Sequence, residues 1–173
     1  MAIAGQDETA RTAYKAGALA LVIAGGAILA ALAFEYIGGY APCPLCLQQR
    51  YAYYVGVPLL FIALVFVSAG HRYPAGLIFL FVSLAFLANA GLGVYHAGAE
   101  WGFWPGPASC AVAQELTTSA GALLESLPNT NVIRCDEAPW RFAGLSFAGW
   151  NVVTCLVVFG ASLRAAADSV PSD

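Results

Sequence analysis

Charge is what this sequence lacks. Only 10% of its 173 residues are Asp, Glu, Lys or Arg, against roughly a quarter in a soluble domain, and its mean hydropathy is +0.73. The 7 basic and 10 acidic side chains form no basic cluster, which argues against a nucleic-acid surface. Two histidines and scattered carboxylates give no H-E-x-x-H or similar ligand pattern, so no metal site is expected. A single C-x-x-C, with no second one to complete a zinc site and no His directly after it, also argues against structural zinc and covalent c-type haem. Internal repeats and a second soluble domain are missing too. Such a chain is solvated over much of its surface by lipid.

What is present is four long runs almost free of charge. Ala16 to Phe34 carries none over 19 residues, and continuing to Ile37 spans a hydrocarbon core of about 30 Å at about 1.5 Å per residue. Ala31-Leu32-Ala33 could imitate a signal-peptidase site, but the run is too long for a secretory leader, so a retained helix is expected. With the other runs, the expected spans are about 16–37, 48–70, 73–96 and 142–163. The loops between them on the cysteine side are about 38–47 and 97–141. The fold class is therefore an all-α membrane protein, a single transmembrane domain. It is a four-helix bundle with a long cysteine-containing loop between helices 3 and 4. Within that loop, Ala111 to Leu127 has the apolar spacing of an amphipathic helix lying on the membrane.

Cys43-Pro44-Leu45-Cys46 joins the first span to the second. Pro44 suits the first turn of a helix, which puts Cys43 at the cap and Cys46 in the first turn, where the helix terminus favours a thiolate. Arg50 follows Cys46 by four residues and shares its face. It could snorkel to the interface, but a cation there would also stabilise a thiolate or an acceptor's oxygen. Cys110 and Cys135 enclose 24 residues of the long loop. A bridge between them would restrict the unfolded chain by roughly 3–4 kcal/mol, and four loop cysteines permit three pairings that spacing cannot choose among.

Other candidates carry blander expectations. Glu35 reads as an interfacial carboxylate facing headgroups, Asn89 as a structural hydrogen-bonder between helices, and His96 as an interfacial side chain. Cys155, mid-span, reads as a small buried apolar residue.

Four spans put both termini on one side with Arg11, Lys15, Arg72 and Arg164. Arg50, Arg134 and Arg141 lie on the other. Positive charge thus weakly favours cytoplasmic termini, and four loop cysteines on the opposite side call for an oxidising compartment there.

Four spans, Cys43-Pro44-Leu45-Cys46 with Arg50, and Cys110 and Cys135 in the second outer loop resemble the bacterial disulfide bond formation protein B (DsbB) family. The segments Glu100-Trp101-Gly102-Phe103-Trp104-Pro105-Gly106-Pro107 and Cys135-Asp136-Glu137-Ala138-Pro139-Trp140 are similar to those flanking its loop cysteines. The likeness covers about residues 15–163. Gln49 departs from it, since many members have a carboxylate before the arginine.

The resemblance implies an inner-membrane enzyme with periplasmic cysteine loops. A soluble periplasmic thioredoxin-like (DsbA-type) thiol oxidase would attack a Cys110–Cys135 disulfide at Cys110. Electrons would pass from Cys135 to Cys43, and Cys46 would then reduce a quinone, ubiquinone or menaquinone, held by Arg50 with His96 close by. A strongly oxidising partner can be recharged repeatedly only if something more oxidising takes its electrons. The competing expectation is a non-enzymatic four-span interaction protein with a disulfide-braced outer loop. A metal or redox sensor built on the loop thiols is a weaker one.

Overall fold

The computed structural model describes residues 2–107 and 135–170. Cys110 and the Ala111–Leu127 segment lie outside them. Among the described residues, four helices run in sequence: α1 (Ala2–Tyr36), α2 (Pro44–Ser68), α3 (Arg72–Glu100) and α4 (Phe147–Ser169), with a two-stranded hairpin, β1 (Arg141–Phe142) and β2 (Leu145–Ser146), before α4. All four helices are long and apolar enough to cross a membrane.

The helices overrun the apolar runs that announce them. α1 continues back to Ala2 through residues that read as a polar tail, and α3 continues past Tyr95 to Glu100. An apolar run marks the thickness of the hydrocarbon layer, whereas backbone hydrogen bonding carries a helix on into the interface. α4 starts later than its run, because Ala143 and Gly144, both at positive φ, turn the chain between the two short strands. Two consecutive positive-φ residues are the geometry of a tight two-residue hairpin turn.

The helices close a ring in which α1 packs on α2, α2 on α3, α3 most extensively on α4, and α4 back on α1. The sealed interior holds Leu60, Phe79, Val82, Phe86 and Val158, all fully buried. Val22, Leu29, Phe61 and Phe81 face outward, each more than half exposed. With lipid on one side and apolar core on the other, association depends on close fit rather than on escape from water. Gly56 supplies such a fit: a Cβ there would sit 2.6 Å from a ring carbon of Phe86. Phe86 in turn meets Tyr53 edge-on at 5.0 Å. Pro58 lies within α2, tolerated because neighbouring groups can satisfy a freed carbonyl inside a bundle.

Candidate functional site

The site lies at the end of the bundle where α2 begins and α3 ends. Pro44 occupies the first helical turn and Cys43 is the N-cap of α2, its sulfur accepting the backbone N–H of Cys46 at 3.1 Å. A cysteine thus takes the position usually filled by Ser, Thr or Asp. Cys43, Cys46 and Cys155 are free thiols. Cys135 is disulfide-bonded, and its partner lies outside the described residues. Cys135 is almost fully buried and packs in one small apolar cluster with Cys43, Leu45, Cys46 and Leu92.

His96 is the residue that the tertiary structure moves furthest from expectation. It is 2% exposed rather than hydrated at the interface. Its Nε2 lies 3.6 Å from Cys43 Sγ and 3.7 Å from a Glu100 carboxylate oxygen, and its Nδ1 lies 2.9 Å from Gln49 Nε2. With the Gln49 amide nitrogen assigned as donor to Nδ1, the ring is the tautomer that carries its proton on Nε2, facing the sulfur. Glu100 is held in turn by the Ser146 hydroxyl, and Ser146 also caps α4 by accepting the Gly149 N–H at 3.2 Å. The hairpin thereby ties the end of α3 to the start of α4.

These contacts act on Cys43. A hydrogen bond from the Cys46 side chain, and then His96, outweigh burial and lower the Cys43 pKa from 9.0 to about 5. In the dithiol form the thiolate is therefore on Cys43.

Arg50 does not simply snorkel. It is ion-paired with Glu35 of α1, and the two side chains are 11% and 21% exposed. Glu35 is accordingly not a carboxylate facing headgroups. The pair bridges α1 and α2.

Below the cysteines, Cys155 is not merely a small apolar residue. Its sulfur lies 3.4 Å from the Tyr53 hydroxyl, 3.2 Å from Asn89 Nδ2 and 3.6 Å from Asn151 Oδ1. The Tyr53 hydroxyl also donates to Asn151 at 2.7 Å, and Asn89 donates to the Gln49 carbonyl at 3.1 Å. Asn89 is thus a structural bridge between α2, α3 and α4.

A cavity of about 440 Å³ opens beside the two thiols. Cys43, Cys46, Arg50, His96 and Tyr53 line one part of it, and small α1 residues such as Ala27 and Ala31 another. Aromatic rings form much of the remaining wall. Trp140 stacks on Phe147 at 5.0 Å and on Phe142 at 5.8 Å, and Phe34 meets both Trp140 and Phe147 at 5.4 and 5.0 Å. This aromatic wall was missed in the sequence, although Trp140, Phe142, Phe147 and Trp150 fall within eleven residues. Their rings converge only because the hairpin folds back, with Trp150 donating to the Phe142 carbonyl at 3.1 Å.

The family model described as "Disulfide bond formation protein DsbB" matches residues 13–165. The chain belongs to the DsbB family. Relatives named "Disulfide bond formation protein B" include one from Marinobacter nauticus, 31% identical over 82% of this chain and 86% of its own length. Another, from Methylococcus capsulatus, is 29% identical over 88% of this chain and 91% of its own. A third, from an Azoarcus species, is 32% identical over 76% of each. No solved structure gives a significant match. As a DsbB-family member the chain is a multi-pass membrane oxidoreductase of disulfide bond formation, built on a four-helix bundle.

Proposed function

We propose that this protein recharges a soluble periplasmic thioredoxin-like (DsbA-type) dithiol protein and delivers the electrons to a membrane quinone. It would act as a single transmembrane domain of the bacterial inner membrane, with both termini cytoplasmic and the cysteine end periplasmic. The observation that carries this reading is the packing of disulfide-bonded Cys135 against Cys43, with free Cys46 in the same cluster.

The transfer balances as four thiol–disulfide exchanges that together pass one electron pair inward. A partner thiolate attacks Cys110 of a Cys110–Cys135 disulfide, forming a mixed disulfide and releasing Cys135 as thiolate. The partner's second thiol resolves the mixed disulfide and leaves with its own disulfide closed. Cys135 then attacks Cys43 of a Cys43–Cys46 disulfide; Cys110 closes on Cys135, and the inner pair is left as the dithiol. That end state has the same redox distribution as the present structure, with Cys43 and Cys46 free and Cys135 bonded.

A bound quinone would supply a two-electron, two-proton acceptor. The cavity suits one: its wall is largely apolar and aromatic, and Arg50 and the Asn151 amide are polar groups on it. Asn151 Nδ2 is buried with no hydrogen-bond partner, a donor left available for a carbonyl oxygen. Arg50, oriented by Glu35, would bind the ring. His96 holds a proton on Nε2 beside Cys43, and the Trp140 and Phe147 rings keep water from the thiols.

The test is to mix protein in native lipid with a reduced thioredoxin-like partner and follow quinone absorbance. Wild type should consume the quinone, and Cys46→Ser should be inactive while retaining its helical content and thermal transition. Full activity in Cys46→Ser would refute the reading.

A further inference from the structure

Three donor atoms in this protein are arranged as metal ligands although the sequence contains no metal motif. Cys43 Sγ, Cys46 Sγ and a ring nitrogen of His96 all lie within 4.8 Å of one another. The nitrogen is Nε2, 3.6 Å from Cys43 Sγ. In a tetrahedral site with a metal–sulfur bond of about 2.3 Å and a metal–nitrogen bond of about 2.0–2.1 Å, sulfur and nitrogen ligands stand about 3.5–3.6 Å apart. The pair is therefore already at ligand spacing.

The surroundings fit the same chemistry. Gln49 lies on Nδ1 at 2.9 Å. Once Nε2 is given to a metal, Nδ1 carries the proton, and a half-turn of the Gln49 amide presents its oxygen as the acceptor that metal-bound imidazoles usually have. The Cys46 N–H already bonds the Cys43 sulfur, which offsets thiolate charge. All three ligand residues line the cavity, which supplies an entry path and room for a fourth ligand. Two thiolates and an imidazole select a thiophilic cation over Mg2+ or Ca2+.

We propose that the reduced protein binds one thiophilic divalent cation of the Zn2+ and Cd2+ class through Cys43 Sγ, Cys46 Sγ and His96 Nε2. Occupancy and the Cys43–Cys46 disulfide exclude each other, because both require the same two sulfurs. Metal capture is thus selective for the reduced centre and arrests it. The proposal stands on the ligand geometry alone and does not depend on the quinone-linked reading.

The experiment uses the full-length protein in lipid, reduced with a phosphine that is then removed, and titrated with Cd2+ alone. The expected result is a thiolate-to-cadmium absorption band saturating at one equivalent per chain. Cys43 and Cys46 should be protected from alkylation, as mapped by mass spectrometry. The band should be missing after oxidation of the Cys43–Cys46 pair. Gln49→Ala should weaken binding about 10–100-fold, as loss of a residue orienting a ligand does, and His96→Ala at least as much. No band in the reduced wild type, a band that survives oxidation, or a protection pattern that omits Cys43 and Cys46 would each overturn the proposal, and the wild-type measurements hold even where a variant fails to fold. Quinone consumption in metal-free buffer is read separately, so failure of either idea leaves the other standing.

Discussion

His96 Nε2 lies 3.6 Å from Cys43 Sγ, although 53 residues separate them in the chain. The same ring holds Gln49 through its other nitrogen. One imidazole on α3 thus grips α2 at its N-cap and again six residues later, and it does so where the catalytic thiols are proposed to react.

Alkylation of Cys43 in the reduced protein should follow an ionisation near pH 5 rather than near 9, as rates measured residue by residue across pH will reveal. Cys46→Ala removes the hydrogen bond that does most to stabilise the Cys43 thiolate and should move that midpoint upward, and His96→Ala should also raise it, by less. The sign for stability follows from linkage. The folded pKa lies below the unfolded one, so this ionisation stabilises the reduced fold fully above pH about 9, and the contribution disappears as pH falls toward 5. A midpoint remaining near 9 in wild type would disprove the assignment of the thiolate to Cys43.

Arg50 and Glu35 should be energetically coupled. Removing either alone leaves a partly buried charge without its partner, so the double variant should lose less stability than the Glu35→Ala and Arg50→Ala losses added together. A double-mutant cycle read by thermal or denaturant unfolding should give a coupling on the order of 1–3 kcal/mol. A coupling near zero would mean that the pair is solvated and that Glu35 does not orient Arg50.

Tyr53→Phe removes the hydroxyl that donates to Asn151 and contacts Cys155. The expected loss is about 1–3 kcal/mol, because buried acceptors lose their donor. Greater access of Cys155 to a small membrane-permeant thiol reagent should accompany it. Unchanged stability and unchanged reactivity would show the network to be dispensable.

Gly56→Ala should be poorly tolerated. The added Cβ would meet the Phe86 ring at 2.6 Å, and Phe86 is fully buried between Tyr53 and the core. Overpacking of this kind costs roughly 1–3 kcal/mol. Pairing it with Phe86→Leu should recover part of the loss, and a double variant no more stable than Gly56→Ala would place the strain elsewhere.

The four spans and the point at which the cysteine helix begins are legible in the amino-acid order alone. Uncharged stretches of about 20 residues are long enough to cross the hydrocarbon layer as helices, and a helix satisfies its own backbone hydrogen bonds there. Proline in the first turn likewise marks where α2 begins, and so puts Cys43 at its cap. Assembly of the helices sets which side chains meet: His96 with Cys43, Glu35 with Arg50, Cys155 with Tyr53 and the two asparagines, and the aromatic rings over the cavity. Each of those meetings depends on how a helix is rotated about its own axis. In a soluble bundle, alternation of polar and apolar residues sets that rotation. Here lipid and core are both apolar, so the periodic signal is weak, and rotation is fixed by close contacts such as Gly56 on Phe86 that become visible only when the helices are assembled.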